Sequence, residues 1–378
     1  MASITSYATA AGRRYRVRYR KPDGRQTDKR GFPTKKAAEA FAATVEVSKL
    51  TGTYVDPTDS RTTVSELGPL WLERQRGHLK PSSWSPLEVA WRLRVEPRWG
   101  SKQIGQIRTS DVQSWVSDMS EGDPVRGVKP AGASVVIRTF GVLAAVLDDA
   151  ARDRLINVSP ARGVKLPRKT RSPKTYLTHQ QVWALAEAAG EYRAIVLVLA
   201  YSGMRWGEMR ALQGCDVDLV SRRIQIRRNV VNVDGRDVEG TPKSWKPRSV
   251  VVPAKVAMEL RRHNPRCAPT ALFFPGADGG FLERTHKGSG WFDRAVAESG
   301  IPRITPKGLR STAASLAVSA GANVKALQKM FGHASAAMTL DVYADLFDDD
   351  LQAVASRLEI AMDSAGVGTM WADDAATA

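Results

Sequence analysis

At 378 residues the chain is too long for one ordinary domain, and its size predicts roughly two or three. A hydrophobic fraction of 43% is enough to build cores and excludes wholesale disorder. Against 39 Asp and Glu stand 56 Lys and Arg, and the resulting +17 points to a polyanionic partner. The longest clean apolar run near the middle, Ala194 to Ala200, is far short of the ~20 residues a membrane span needs. The start lacks a basic stretch followed by a long apolar one, so it does not read as a secretory signal. Two cysteines, Cys215 and Cys267, without C-x-x-C pairing exclude a disulfide scaffold or zinc finger and fit a reducing cytosol. The expectation is a soluble, cytoplasmic, multidomain protein that binds nucleic acid.

Residues 1–57 carry 12 basic and 5 acidic side chains, a net of +7. Within them Arg14-Tyr-Arg-Val-Arg-Tyr-Arg20 alternates strictly. A strand there places Arg14, Arg16, Arg18 and Arg20 on one face and Tyr15, Val17 and Tyr19 on the other. Pro22-Asp23-Gly24 reads as a turn, and Arg25 to Arg30 as a pairing strand. From Thr34 an N-capped amphipathic helix can cover the aromatic face. An arginine-studded sheet suits a DNA groove; a solvated edge strand, charged for solubility, is the alternative.

Pro57 closes this unit, and residues 61–158 read as helical. Thr63-Val-Ser-Glu66 is a capping box, and Trp71, Trp84, Trp91, Trp99 and Trp115 read as core rather than as base-stacking groups. Ser134 to Arg154 is a long amphipathic helix with Val136, Phe140, Leu143, Ala144 and Leu147 on one side. Residues 159–175 then break the periodicity. They hold Pro160, Pro167 and Pro173 with Arg162, Lys165, Arg168, Lys169, Arg171 and Lys174, and no acid. That composition reads as a linker able to lie along a phosphate backbone. Thr178-His-Gln-Gln181 opens a new helix, so a fresh domain starts near Tyr176. From Asp341 to the end 9 acids face one base, Arg357, which marks a tail held off nucleic acid.

In this last domain polar motifs interrupt core-like patterns. Arg205 and Glu208 follow an apolar helix and a glycine break, and Arg223 to Arg227 and Arg248 to Pro253 alternate as strands. A turn-rich stretch, Gly240-Thr-Pro-Lys-Ser244, lies between those strands. Then come Thr305-Pro-Lys-Gly-Leu-Arg-Ser-Thr312, Met330-Phe-Gly-His333 and Met338-Thr-Leu-Asp-Val-Tyr343. From about Tyr176 to Leu358 the chain resembles the tyrosine recombinase (phage integrase) family. The family pattern is an arginine in a G-x-R-x-x-E context, a lysine in a β-hairpin, H-x-x-R, a G-H pair and, further on, a tyrosine. Arg205 with Glu208, Lys243, Arg310, His333 and Tyr343 match it in order. The chain departs from the pattern at Lys307, where the family usually has histidine, and at Ser311, where histidine is common.

The resemblance implies a multidomain fold: an N-terminal three-stranded sheet plus helix (1–57), an all-α core-binding domain (61–158), the basic linker, and a mixed α+β catalytic domain (176–358) with a tail (359–378). It implies site-specific cutting and rejoining of duplex DNA through a 3′-phosphotyrosyl intermediate on Tyr343. Arg205 and Arg310 would grip the non-bridging oxygens, Lys243 would protonate the leaving oxygen, and Lys307 would act on the phosphate through its charge. It further implies a homotetramer on DNA and leaves open a host DNA-bending protein and an excisionase. The phosphotyrosine keeps the bond energy, so no cofactor and no metal are expected, in keeping with the lack of a P-loop motif. Two rival readings remain: a type IB topoisomerase-like enzyme that relaxes DNA, and a sequence-specific DNA-binding regulator whose site has decayed.

Overall fold

In the computed structural model of the chain, the alternating stretch Arg14 to Arg20 forms the middle of a sheet rather than its edge. The structure describes residues 2–10, 12–122, 128–170, 174–241, 247–283, 285, 288–333, 335–343 and 350–365, with the side chains of 338, 341–343, 350–354 and 357 outside the description. Strands β1 (Ser3–Thr9), β2 (Gly12–Arg20) and β3 (Gln26–Phe32) run antiparallel in the order β1-β2-β3. Both edges of β2 are therefore paired, which removes the edge-strand alternative. Helix α1 (Lys35–Leu50) begins where Thr34 Oγ1 accepts the Ala37 N–H at 3.1 Å. It covers the sheet's apolar face: Val17 and Tyr19 are buried with Ala38 and Val45, and Tyr19 meets Phe41 edge to face. On the other parity Arg18 and Arg20 are exposed and Arg14 and Arg16 half-buried.

The chain divides into two units, Met1–Arg171 and Ser172–Ala378, and the boundary falls within the basic, proline-rich stretch. The first unit continues with α2 (Val64–His78), α3 (Pro81–Ala90), a π turn at Trp91–Val95, α4 (Glu96–Trp99), α5 (Thr109–Glu121) and α6 (Ala133–Arg152). The Thr63 box forms as predicted, the Thr63 N–H donating to Glu66 at 2.5 Å. Trp71, Trp91, Trp99 and Trp115 pack with Val142, Leu143, Val146 and Leu147 of α6 in a separate core. Trp84 is half-buried, its indole N–H donating to the Leu72 carbonyl at 3.1 Å. Gly68 is required here, because a Cβ would sit 1.9 Å from the Trp91 ring. The first part of the basic stretch docks on this core: Ala161 is buried, and the Lys165 N–H donates to the Gln113 side chain at 2.8 Å.

The second unit opens with α7 (His179–Ala188), capped reciprocally by Thr178 and Gln181. Helix α8 (Arg193–Ser202) follows, and all of Ala194 to Ala200 is buried. The apolar run is thus a helix packed on every side, not a membrane segment; among the described residues no helix is long and apolar enough to cross a membrane. Next come α9 (Trp206–Arg210), β4 (Val217–Asp218), β5 (Arg223–Ile226), β6 (Asn229–Val233), β7 (Arg236–Gly240) and β8 (Arg248–Val251). The sheet order is β4-β5-β8, with β6 and β7 forming a separate hairpin. Its tight turn is Asp234-Gly235, both with positive φ (51° and 81°), the geometry that favours Asp-Gly. Helices α10 (Ala254–His263), α11 (Trp291–Glu298), α12 (Pro306–Ser319), α13 (Val324–Phe331), α14 (Ala336–Tyr343) and α15 (Asp350–Ser364) complete the described fold.

Candidate active site

Two left-handed helix caps bring the polar motifs together. Gly203 ends α8 with φ +64°, and a Cβ there would meet Phe331 Cε1 at 2.4 Å, so both backbone and space call for glycine. The chain leaves this cap extended and places Arg205 at the N-cap of α9. Glu208, in the first turn, accepts from the Arg205 backbone N–H and from Arg205 Nη1, each at 2.8 Å. This is the helix-terminal pair that the spacing allows, and it orients the Arg205 guanidinium.

Glu208 is completely buried, and Arg205 alone does not balance it. Arg248, the first residue of β8, closes a fork on the same carboxylate, with Nη1 at 2.9 Å from Oε1 and Nη2 at 2.6 Å from Oε2. Its Nε donates to the Met330 carbonyl at 3.1 Å. Burial acts to raise the Glu208 pKa, but the hydrogen bonds and charge of Arg248, aided by Arg205, outweigh it and hold the carboxyl below its ordinary value. Sequence reasoning missed Arg248, using it only as the start of a strand. The signal was an arginine heading an apolar run, Ser-Val-Val-Val-Pro253, in a chain with a carboxylate at Glu208 to satisfy.

Arg310 lies in the second turn of α12, whose N-cap Thr305 accepts the Gly308 N–H at 3.1 Å. Its Nη1 donates to the Gly203 carbonyl and its Nη2 to the Phe331 carbonyl, the latter at 2.7 Å. The guanidinium also stacks 4.6 Å from the Phe331 ring centre. Gly332, the second left-handed cap (φ +62°), then turns the chain so that His333 Nε2 stands 3.3 Å from Arg310 Nη2. His333 Nδ1 lies 2.9 Å from Thr339 Oγ1, and Thr339 is fully buried in α14. Burial first, then the charges of Arg310, Arg205 and Arg248, push the His333 pKa down from 6.5 to about 4. The imidazole is therefore neutral at physiological pH.

The structure thus brings Arg205, Arg310 and His333 into one cationic cluster. Lys307 is exposed in the first turn of α12, three residues before Arg310. Tyr343 is the last residue of α14, one helical turn beyond Thr339; its side chain lies outside the described residues, as do Lys243 and Arg171 entirely. Arg168 and Lys169 are exposed in the first unit, as are Arg18 and Arg20 of β2. Together, the Arg205 and Arg310 guanidiniums and a neutral imidazole can offer a cradle to the oxygens of a phosphodiester, with Arg248 and Glu208 bracing it from behind.

Comparison with known proteins bears on the family of the chain. The phage integrase family model matches residues 175–349, and the model of the phage integrase N-terminal SAM-like domain matches residues 63–120. The integrase of Mycobacterium phage D29 is 25% identical over 261 residues, which span 66% of this chain and 66% of that protein. The tyrosine recombinase XerD of Mycobacterium tuberculosis (strain CDC 1551 / Oshkosh) is 28% identical over 262 residues, 64% of this chain and 79% of the relative. A structure of the Tn1549 transposon integrase in complex with transposon right end DNA superposes with a TM-score of 0.65 at 23% identity, covering 79% of this chain and all of that one. The family-model match and these relatives support an enzyme of the tyrosine recombinase class. The chain belongs to the tyrosine recombinase (phage integrase) family.

Proposed function

We propose that this chain is a site-specific recombinase that cuts and rejoins duplex DNA through a 3′-phosphotyrosyl intermediate. The observation that carries the reading is the convergence of Arg205, Arg310 and His333, with the helix ending at Tyr343 joined to them through Thr339. Arg205 and Arg310 offer paired guanidinium donors to the two non-bridging oxygens. Charge builds on those oxygens as Tyr343 attacks, so fixed cations lower the barrier most where they are already oriented. The phenolic proton passes from Tyr343 to water as the new P–O bond forms, and the P–O bond to the 5′-oxygen breaks as that oxygen takes a proton from Lys243. Lys307 supports the same phosphate by charge. An ammonium group is protonated at neutral pH, so it donates hydrogen bonds rather than accepting the phenolic proton.

Recombination joins two duplexes and exchanges four strands, and with one tyrosine per protomer four protomers are needed on DNA. Arg14, Arg16, Arg18 and Arg20 would bind arm DNA, and Arg168, Lys169 and Arg171 would follow the backbone between domains. The chain would work in the cytoplasm of a bacterial host, with a DNA-bending protein and an excisionase as further partners.

The test is covalent trapping on duplexes nicked near candidate crossover points, so that the released 5′-end diffuses away. The parent chain is expected to form a denaturant-stable adduct, and Tyr343→Phe to bind the same DNA without forming one. An adduct on Tyr343→Phe would assign the nucleophile elsewhere, and DNA binding without any adduct from the parent would favour a regulator. Relaxation of supercoils with no exchange between paired sites would favour the topoisomerase reading.

A further inference from the structure

We infer that Arg210 and Asp237 are positioning residues for the leaving-group acid, an ion pair that fixes on α9 the strand leading to Lys243. The inference rests on the reading of Lys243 as that acid and adds two residues that none of the chain's motifs includes. Arg210, the last residue of α9, is 3% exposed. It closes a fork on the Asp237 carboxylate of β7, with Nη1 at 3.1 Å from Oδ1 and Nη2 at 2.5 Å from Oδ2. Its Nε donates to the Leu282 carbonyl, so all three nitrogens are engaged within the protein. Asp237 also accepts from the Asn232 side chain across the hairpin at 3.2 Å. The Arg210 hydrogen bonds hold the Asp237 carboxyl below its ordinary value against the opposing effect of burial, so the pair is ionised at neutral pH.

A second contact repeats the attachment one helical turn earlier. Gly207 lies three residues before Arg210 on α9 and shares its face. A Cβ at Gly207 would run into the Val230 carbonyl oxygen and Asn229 Oδ1 of β6, and Asn229 is the register partner of Gly240, where β7 ends. Lys243 stands three residues beyond Gly240 in sequence, and three residues of chain span at most ~11 Å. At the far end of the same stretch is Arg248, the head of β8, whose guanidinium is forked on Glu208 of α9. Both strands that flank the acid are thus tied to one helix of five residues. An arginine of the helix holds one strand, and a carboxylate of the helix holds the other. Arg205 caps that helix, so the group that grips the phosphate and the chain that delivers the proton share one bracket.

The consequence is confined to one bond. A proton donor works only within hydrogen-bond reach of the departing oxygen, and a misplacement of about 1 Å costs roughly a hundredfold in rate. Releasing β7 from Arg210 widens the positions open to Lys243, while Arg205, held by Glu208 with Arg248, keeps its place. The step that suffers is the one in which the P–O bond to the 5′-oxygen breaks and that oxygen takes up a proton. Sulfur in place of that oxygen removes the need for the acid. A thiol with a pKa of ~8.5 departs as the thiolate, the electron pair of the P–S bond staying on sulfur.

The experiment measures single-turnover cleavage by the full chain at saturating enzyme. The substrates are the nicked duplex that traps the parent and the same duplex with a 5′-sulfur at the scissile bond. Lys243→Gln, Asp237→Asn and the double variant Arg210→Met/Asp237→Asn are compared with the parent. The double variant leaves no buried charge without its partner, so the outcome does not hinge on how well Asp237→Asn folds. Both Asp237 variants should cleave the oxygen duplex roughly ten- to a hundredfold more slowly than the parent. On the sulfur duplex they should match the parent, the same split as Lys243→Gln with a smaller loss. An equal loss on both duplexes overturns the inference, because it places the effect on Arg205 or on the fold. So does parental cleavage of the oxygen duplex by the folded double variant. If Lys243→Gln is slowed equally on both duplexes, Lys243 is not the acid, and the reading beneath the inference fails whatever the Asp237 variants do.

Discussion

Arg248 directs its donors at two other segments of the chain, the Glu208 carboxylate on α9 and the Met330 carbonyl on α13. One buried side chain thereby sets both the arginine that follows α8 and the cap that precedes His333. Arg248→Ala leaves Glu208 buried without its fork, and should lower unfolding stability by about 3–5 kcal/mol. Arg248→Lys keeps the charge but loses the bidentate geometry, and should recover only part of that loss. Urea unfolding read at constant slope checks both, and a Lys variant as stable as the parent would reject the fork as the relevant feature. The neighbouring His333 makes stability depend on pH. Its folded pKa of about 4 lies below its ordinary value of 6.5, so the unfolded chain binds the proton more readily. The neutral ring's contribution is complete above pH 6.5 and is lost as pH falls towards about 4. His333→Gln should flatten the dependence of the urea midpoint on pH across that window, and an unchanged slope would assign it to other groups.

At the scale of elements, the two left-handed caps deliver the site, and they are not equivalent. Both glycines are strained by any Cβ, but at Gly203 the Cβ meets the buried Phe331 ring at 2.4 Å, whereas at Gly332 it meets Arg248 Cδ at 2.8 Å. Gly203→Ala should destabilise the second unit by roughly 2–4 kcal/mol, backbone strain plus overpacking, and Gly332→Ala by less. Thermal unfolding of the two variants orders them, and the reverse order would show that the Phe331 contact yields easily. The same elements show what could be read from the chain. Strand β2 and the caps at Thr34, Thr63 and Thr178 were legible because alternation and capping are local. Arg205, Arg310 and His333 were legible through motif order. Strand β1 was not, since Ser-Ile-Thr-Ser-Tyr-Ala-Thr mixes small polar residues with too little apolar contrast. The β6–β7 hairpin carries an Asp-Gly turn, but Arg236 to Gly240 does not alternate as a strand should. Arg248 and Thr339 were silent for another reason: their meaning lies in partners that only the tertiary fold supplies.

Across the whole molecule, separate cores serve separate surfaces. The N-terminal sheet has its own small core under α1, the tryptophan-rich helices have another, and α8 is the centre of the largest. The +7 of residues 1–57 is therefore mounted on a body with its own packing. An isolated 1–57 fragment should bind duplex DNA with a log-log salt slope of roughly 0.9 per phosphate contacted, measured by anisotropy; no binding at low salt would sink the arm assignment.

The strand register within that sheet has an energetic consequence of its own. Arg16 stands directly opposite Arg30, and Asp28, bonded to Arg30 at 2.7 Å, partly offsets the pair. Like charges facing across a strand pair repel, so the sheet works against itself at this position, and a polyanion laid over it would relieve the repulsion. Relieving the repulsion by Arg30→Gln should therefore raise the melting temperature of the free fragment while weakening its hold on DNA. Opposite signs in those two measurements would mark a surface kept under tension for its ligand; a variant that loses both would mean that Arg30 simply supports the fold.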